Sequence, residues 1–247
     1  MELTLWAKTN GTLVNVLTVL LGSGLGVLIR GRLPGRMQRV IVQGVGLVTL
    51  FIGFSMAGSL GSAAGGAVDG VILGLLALVL GGVLGEALGL EERLERLGDL
   101  LKARFRGGGG FTEGFVAASL LFCVGPMTLI GSINNGLVGD PTLLLIKSTL
   151  DGLSSIALAA SFGPGVAASA LVVLVYQGGL ALAAGGLAAA LPDPASDPRV
   201  LLVTGVGGLM ILGLGINLLE LTRVRVASFL PALVLAPLFW WLAEVLS

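Results

Sequence analysis

Histidine is absent from the 247 residues, and cysteine occurs once, at Cys123. The first absence removes the commonest general base and metal ligand. The second excludes an intramolecular disulfide and leaves Cys123 to be read as an inert core thiol. Charged residues make up only 11% of the chain, whereas soluble domains carry about a quarter. The net charge is zero, so no basic footprint for nucleic acid is present. No HExxH or GxSxG motif occurs, and "GSGLG" (22–26) lies in an apolar run with no strand before it, which removes the dinucleotide reading. The available serine–lysine dyad, Lys147 with Ser154 or Ser155, is separated along a helix by about 11 Å, too far for proton transfer. No catalytic residue, metal site or cofactor is therefore expected, and the chain reads as a non-enzyme.

Apolar residues and glycine are what remain: 55% of the chain is hydrophobic and 41 residues are glycine, with a mean hydropathy of +1.03. Apolar runs long enough to cross a hydrocarbon core of about 30 Å recur along the chain. Eight are expected as helices, at 11–29, 39–58, 67–89, 113–133, 142–162, 165–190, 199–219 and 228–246. The first lacks a signal peptide's basic flank and cleavage site and reads as a retained span. The predicted fold is all-α, a polytopic integral membrane bundle of about eight transmembrane helices. Residues 1–247 form one transmembrane domain, with helical halves at 11–90 and 111–247 and a connector at 91–110.

Basic residues orient this arrangement. Arg30, Arg32, Arg36, Arg39, Arg93, Arg96, Lys102, Arg104, Arg106, Arg223 and Arg225 fall on one side, against Lys8, Arg199 and Lys147 on or toward the other. The positive-inside rule puts the first group in the cytoplasm and both termini outside. In the connector, Leu90, Leu94, Leu97, Leu100 and Leu101 recur at helical spacing opposite mixed charges, the pattern of an amphipathic helix along the membrane surface. Gly107 to Gly110 read as a flexible joint.

The glycines follow membrane packing chemistry. Gly70, Gly74, Ala77, Gly81 and Gly85 share one face of the third span, and Gly46, Thr49 and Gly53 one face of the second. Small faces let helix backbones approach closely, within a chain or across a homo-oligomer. A polar residue before glycine recurs in "VQGVG" (42–46), "LDGL" (150–153), "YQGG" (176–179) and "VTGVG" (203–207). Aligning the second span with the fifth, the first with the fourth and the third with the sixth gives a three-plus-three inverted repeat, an architecture common among secondary transporters.

One stretch carries charge where lipid is expected. In "LLLIKSTLDGLSSIALAASF" (143–162), Lys147, Ser148, Asp151, Ser154 and Ser155 lie within an arc of about 120°. An ionised side chain at the membrane centre costs at least about 3 kcal/mol unless it faces protein or water. Asp151 falls about 15 Å from the helix start at Pro141, near the midplane, while Lys147 is shallow enough to snorkel outward. Two readings stay open: a structural pair that neutralises itself, and a polar pathway for a solute or ion. Asn15 on the first span, Gln177 on the sixth and Asn217 on the seventh are candidates to join that pathway. Gly125-Pro126 in mid-span predicts a kink or break in the fourth helix, because proline lacks the backbone donor.

The segments "GTLVNVLTVLLGSGLG", "GFVAASLLFCVGPMTLIGSINNGLVGDPTLLLIKSTLDGLSSIALAASFG", "VYQGG" and "FLPALVLAP" resemble the YqgA/YdfK-like family of uncharacterised prokaryotic membrane proteins (DUF554). The resemblance covers nearly everything from residue 11 onward, the first ten residues reading as an addition. It implies a bacterial inner-membrane protein, a transport role without an established substrate, and no assigned site. The expectation is a carrier or channel for a small solute or ion, whose partners are the bilayer and that solute. The alternative is a scaffold or lipid-handling protein that transports nothing.

Overall fold

In the computed structural model, residues 3–105, 108–190 and 196–246 are described. They are helical almost throughout: α1 (Leu5–Arg30), α2 (Gly35–Ala57), α3 (Gly70–Ala87), α4 (Leu90–Arg104), α5 (Phe111–Cys123), α6 (Pro126–Val138), α7 (Thr142–Phe162), α8 (Gly165–Ala190), α9 (Pro198–Leu218) and α10 (Ala232–Leu246). Short 3₁₀ turns at Gly58–Ser62 and Val226–Phe229 complete them. No strand occurs among the described residues; the nearest feature is an isolated bridge between Gly65 and Val68. Seven helical stretches are long and apolar enough to cross a membrane, and α5 with α6 makes an eighth if that bent pair is one span.

The fourth expected span, 113–133, breaks at Gly125-Pro126, as the proline predicts. It is not one helix: α5 stops at Cys123 and α6 restarts at Pro126, at an angle of 60°. Val124 and Gly125 are extended between them, and Pro126 takes the first position of α6, where its missing N–H leaves nothing unsatisfied. The hydroxyl of Thr128 donates to the carbonyl of Phe122 across the break (3.1 Å).

Other boundaries move for local reasons. The first helix begins at Leu5, six residues before the expected start at 11, because the Thr4 hydroxyl accepts from the amide of Ala7 and caps a longer helix. The third begins at Gly70 because Asp69 caps it through the amide of Val71 (2.7 Å). Part of the expected joint, Gly107, and Arg106, one of the basic residues used to orient the chain, lie outside the described residues.

The chain divides into two compact units, 1–45 with 95–192, and 46–94 with 193–247. In the first, α1 lies along α7. A Cβ on Gly22 would strike the carbonyl of Gly152, and one on Gly26 the carbonyl of Ile156. Gly152 in turn faces the Cβ of Thr18, with room for no more than a 3.1 Å contact. Only glycine permits so close a backbone approach. Phe111, Phe115, Phe122, Leu144, Leu158 and Val166 fill the interior. Gly136 packs α6 on the carbonyl of Ala181 in α8. The α7 helix ends at Gly163, whose φ of +89° suits glycine alone.

In the second unit, Leu60, Ala63, Leu73, Ala77, Leu202, Val206, Ala232 and Ala236 form the core. The expected small face of α3 is buried along its length. A Cβ on Gly81 would stand 2.5 Å from the amide nitrogen of Ala232, and one on Gly85 would strike the carbonyl of Ser228. On α2, Gly46, Thr49 and Gly53 are the buried residues, with Gly53 against the backbone of Leu212 and Gly208 on α9.

The connector forms the expected helix, α4, with Leu90, Leu94 and Leu101 half-buried. Leu97 and Leu100 are exposed, whereas Glu91 and Gly98 are buried. The carboxylate of Glu91 accepts from the amide of Ala227 (2.8 Å). Gly98 makes room for Thr112 and Phe115.

Candidate functional site

The polar face of α7 turns into the first unit. Lys147 and Asp151, the sixth and tenth of 21 residues in α7, are both buried (6% and 7% exposed) and ion-paired. Their i,i+4 spacing places them one above the other on the helix. Lys147 therefore does not snorkel: its ammonium turns inward to Asp151 and lies 5.9 Å from the centre of the Phe122 ring on α5. A ring face at that distance attracts a cation.

Two further helices bring amides to this pair. Asn15, fully buried near the middle of α1, donates through Nδ2 to Asp151 Oδ2 (2.9 Å) and to Gln177 Oε1 on α8 (3.0 Å). Gln177, also fully buried, donates through Nε2 to the hydroxyl of Thr12 (3.2 Å). The result is a continuous chain, Lys147–Asp151–Asn15–Gln177–Thr12, across three helices. It forms where α1 and α7 touch, because the glycines of the two helices bring their backbones close enough for short amide side chains to reach across. The chain is not saturated. Asn15 Oδ1 is buried without a hydrogen-bond partner, and Asp151 uses Oδ2 for both Lys147 and Asn15.

The serines of the stripe behave differently. The hydroxyls of Ser148 and Ser155 are buried but donate back to the carbonyls of Leu144 (2.6 Å) and Asp151 (2.7 Å) on their own helix. Ser154 is half-buried at the edge of the face. Ile156 and Ala157, next along α7, are half-buried as well.

Of the remaining candidates, Asn15 and Gln177 join the pair and Asn217 does not. Asn217 belongs to the second unit, where its side chain donates to the carbonyl of Val224 and accepts from its amide, both at 2.7 Å. It clamps the turn after α9, a local role that its place at the end of a helix explains. Gly125 and Pro126 form the break between α5 and α6, three residues beyond the Phe122 ring.

Sequence reasoning missed Thr12 and Phe122. Thr12 stands three residues before Asn15, on the same helical face, and that spacing was its available signal. Phe122 carries no signal in an apolar run. A second amide cluster was also missed: Asn135 on α6 donates to Asn10 Oδ1 (2.8 Å) and the carbonyl of Ala7 (2.9 Å), and accepts from the amide of Gly11 (3.0 Å). These bonds dock the first turns of α1, including residues read as an addition, onto α6. Among the described residues no group of three or more His, Cys, Asp or Glu could hold a metal ion.

A family model described as "Protein of unknown function (DUF554)" matches residues 10–241. The "Uncharacterized membrane protein YdfK" of Bacillus subtilis (strain 168) is 30% identical over 227 residues, 92% of this chain and 93% of that protein. The "Uncharacterized protein YqgA" of Escherichia coli (strain K12) is 31% identical over 233 residues, 92% of this chain and 94% of that protein. No solved structure matches.

Proposed function

The chain belongs to the DUF554 family, and from that premise we propose that this multi-pass membrane protein is a carrier or channel for a small solute or ion. The carrying observation is the buried network of Lys147, Asp151, Asn15 and Gln177. Ionisable residues are expensive inside a membrane and mark solute or ion pathways. A structural pair needs partners for its charges, yet this network also leaves a buried carbonyl oxygen on Asn15 without one. Beside it runs a broken helix, α5–α6, the kind of element from which transporters build sites. Ser148, Ser154 and Ser155 lie along the same face of α7, though two of them already satisfy their hydroxyls.

One observation favours the second reading, a scaffold or lipid-handling protein. Every member of the network is less than a tenth exposed, as a sealed structural core would have it. The two readings part on ligand response. Purified protein is screened for thermal stabilisation by ions and small organic solutes, since a ligand of the folded state alone raises stability by RT ln(1 + [L]/Kd). Transport through the network is supported if a stabilising solute loses its effect on the Lys147→Met, Asp151→Asn double variant. An equal effect on that variant removes the network from the site.

We assign the chain to a bacterial cytoplasmic membrane, with both termini outside, on the asymmetry of its basic residues. The reading is of a non-enzymatic protein. For a homo-oligomer we point to Gly44 and Gly179, around which there is open space, because the small face of α3 is already covered by Leu60, Ala63, Ser228 and Ala232.

A further inference from the structure

Resting on the transport reading above, we propose that the network takes a small zwitterion of the amino-acid class, its carboxylate on Lys147 and its ammonium on Asp151 and Asn15. The argument starts from charge. Lys147 and Asp151 cancel, and the amides of Asn15 and Gln177 and the hydroxyl of Thr12 carry none. In a low-dielectric interior a net charge is disfavoured, because the isolated ion loses its hydration. A bare cation or a bare anion would leave this site charged. A zwitterion enters at no cost in net charge and brings one partner for each resident group.

The unused bonding capacity has the same two signs. An ammonium has three donors, and the hydrogen-bond acceptor of Lys147 is Asp151 Oδ2; the face of Phe122 lies beyond. On the donor side, then, capacity remains for a carboxylate. On the acceptor side stand Asn15 Oδ1, fully buried and without a partner, and Asp151 Oδ1, since both bonds to that carboxylate fall on Oδ2. An ammonium fits there. A primary or secondary ammonium, having N–H donors, suits these oxygens better than a fully methylated one.

Entry requires the pair to part, and the two ends differ in freedom. Asp151 is held by Asn15, which is held by Gln177, on helices locked at Gly22 and Gly152. Lys147 has a four-carbon stem and the Phe122 ring as an alternative rest for its charge. So Lys147 moves and Asp151 stays. Binding replaces one internal ion pair by two pairs to the ligand, and the site stays neutral throughout.

The experiment is thermal stabilisation of the purified wild-type protein, in detergent and in lipid nanodiscs, at constant ionic strength. Probes are glycine, alanine, proline, β-alanine and glycine betaine, each set against the matching half-molecules, methylamine, ethylamine, acetate and propionate. At least one N–H zwitterion is expected to stabilise in a saturable manner, with each half-molecule binding about tenfold or more weakly, the loss expected for a missing charge-assisted contact. Stabilisation should vanish in the Lys147→Met, Asp151→Asn variant. An amine or a carboxylate that alone stabilises the wild type as well as any zwitterion overturns the ligand class and leaves the transport reading standing. A zwitterion that stabilises the double variant equally overturns both. No stabilisation by any zwitterion in either medium means that the spare valences are met by water, and the inference is wrong. The comparison of whole and half ligands uses only the wild type, so the test holds even if the variant does not fold.

Discussion

Lys147 and Asp151 have opposite consequences singly and together. Removing one member of a buried ion pair strands the other's charge, at a typical cost of about 3–5 kcal/mol, whereas replacing both by neutral groups of similar size is often neutral or better. Asp151→Asn alone should therefore lower the melting temperature in detergent well below that of Lys147→Met, Asp151→Asn. A double variant no more stable than the single one would show that the pair contributes more than mutual neutralisation. At the N-cap of α9, Asp197 makes a different prediction. Its burial raises its carboxyl's affinity for a proton, but the side-chain and backbone bonds from Arg199 outweigh this and hold it below its ordinary range. A carboxylate with a depressed folded-state pKa contributes stability above its unfolded value, near about 3.9, and loses that contribution as pH falls through the depressed one. Asp197→Asn should be less stable than wild type at pH 7, with the gap narrowing as the pH falls below the unfolded value. A gap that does not narrow on acidification would assign the effect to something other than this carboxylate.

At the scale of the element, the decisive quantity is how closely two backbones approach. Gly81 on α3 faces the backbone of Ala232 on α10, where even a Cβ would stand 2.5 Å from nitrogen. Overpacking of this sort costs about 1–3 kcal/mol, and backbone, unlike a side chain, cannot swing away. Gly81→Leu should lower the melting temperature markedly. Gly24→Leu, at a glycine with nothing within 4 Å, is the control and should change it little. Equal melting temperatures for the two variants would mean that the α3–α10 contact is not tight in the folded protein. Helix faces of this kind were legible in the sequence, since steps of three and four keep small residues aligned. What they pack against was not, because small-residue spacing carries no address.

For the whole molecule, the count of crossings decides which side each end occupies. Eight crossings put both termini on one side, opposite most of the basic residues. If α5 and α6, bent at 60°, re-enter instead of crossing, seven crossings remain and the termini separate. Reporters active only in the cytoplasm, fused before Met1 and after Ser247, test this: both silent is the expected result. One active reporter would make the bent pair re-entrant, and two would invert the molecule.

Hydrophobicity and the spacing of charge are local properties, so the sequence by itself determined the all-helical class, the membrane spans and the charged stripe on α7. It determined the break at Gly125-Pro126 too, because a missing donor acts where it stands. Capping residues such as Thr4 and Asp69 move boundaries by a few residues and are seen only once their side chains are placed. The partners of the stripe were a matter for tertiary structure alone. Asn15, Gln177 and Asn217 look alike as single polar residues in apolar runs, yet the first meets Asp151, the second meets the first and the third closes a turn. The difference is set by which helices pack together, here α1 and α7 through Gly22, Gly26 and Gly152. A hydrogen bond between residues 136 apart has no trace in either residue's neighbourhood along the chain.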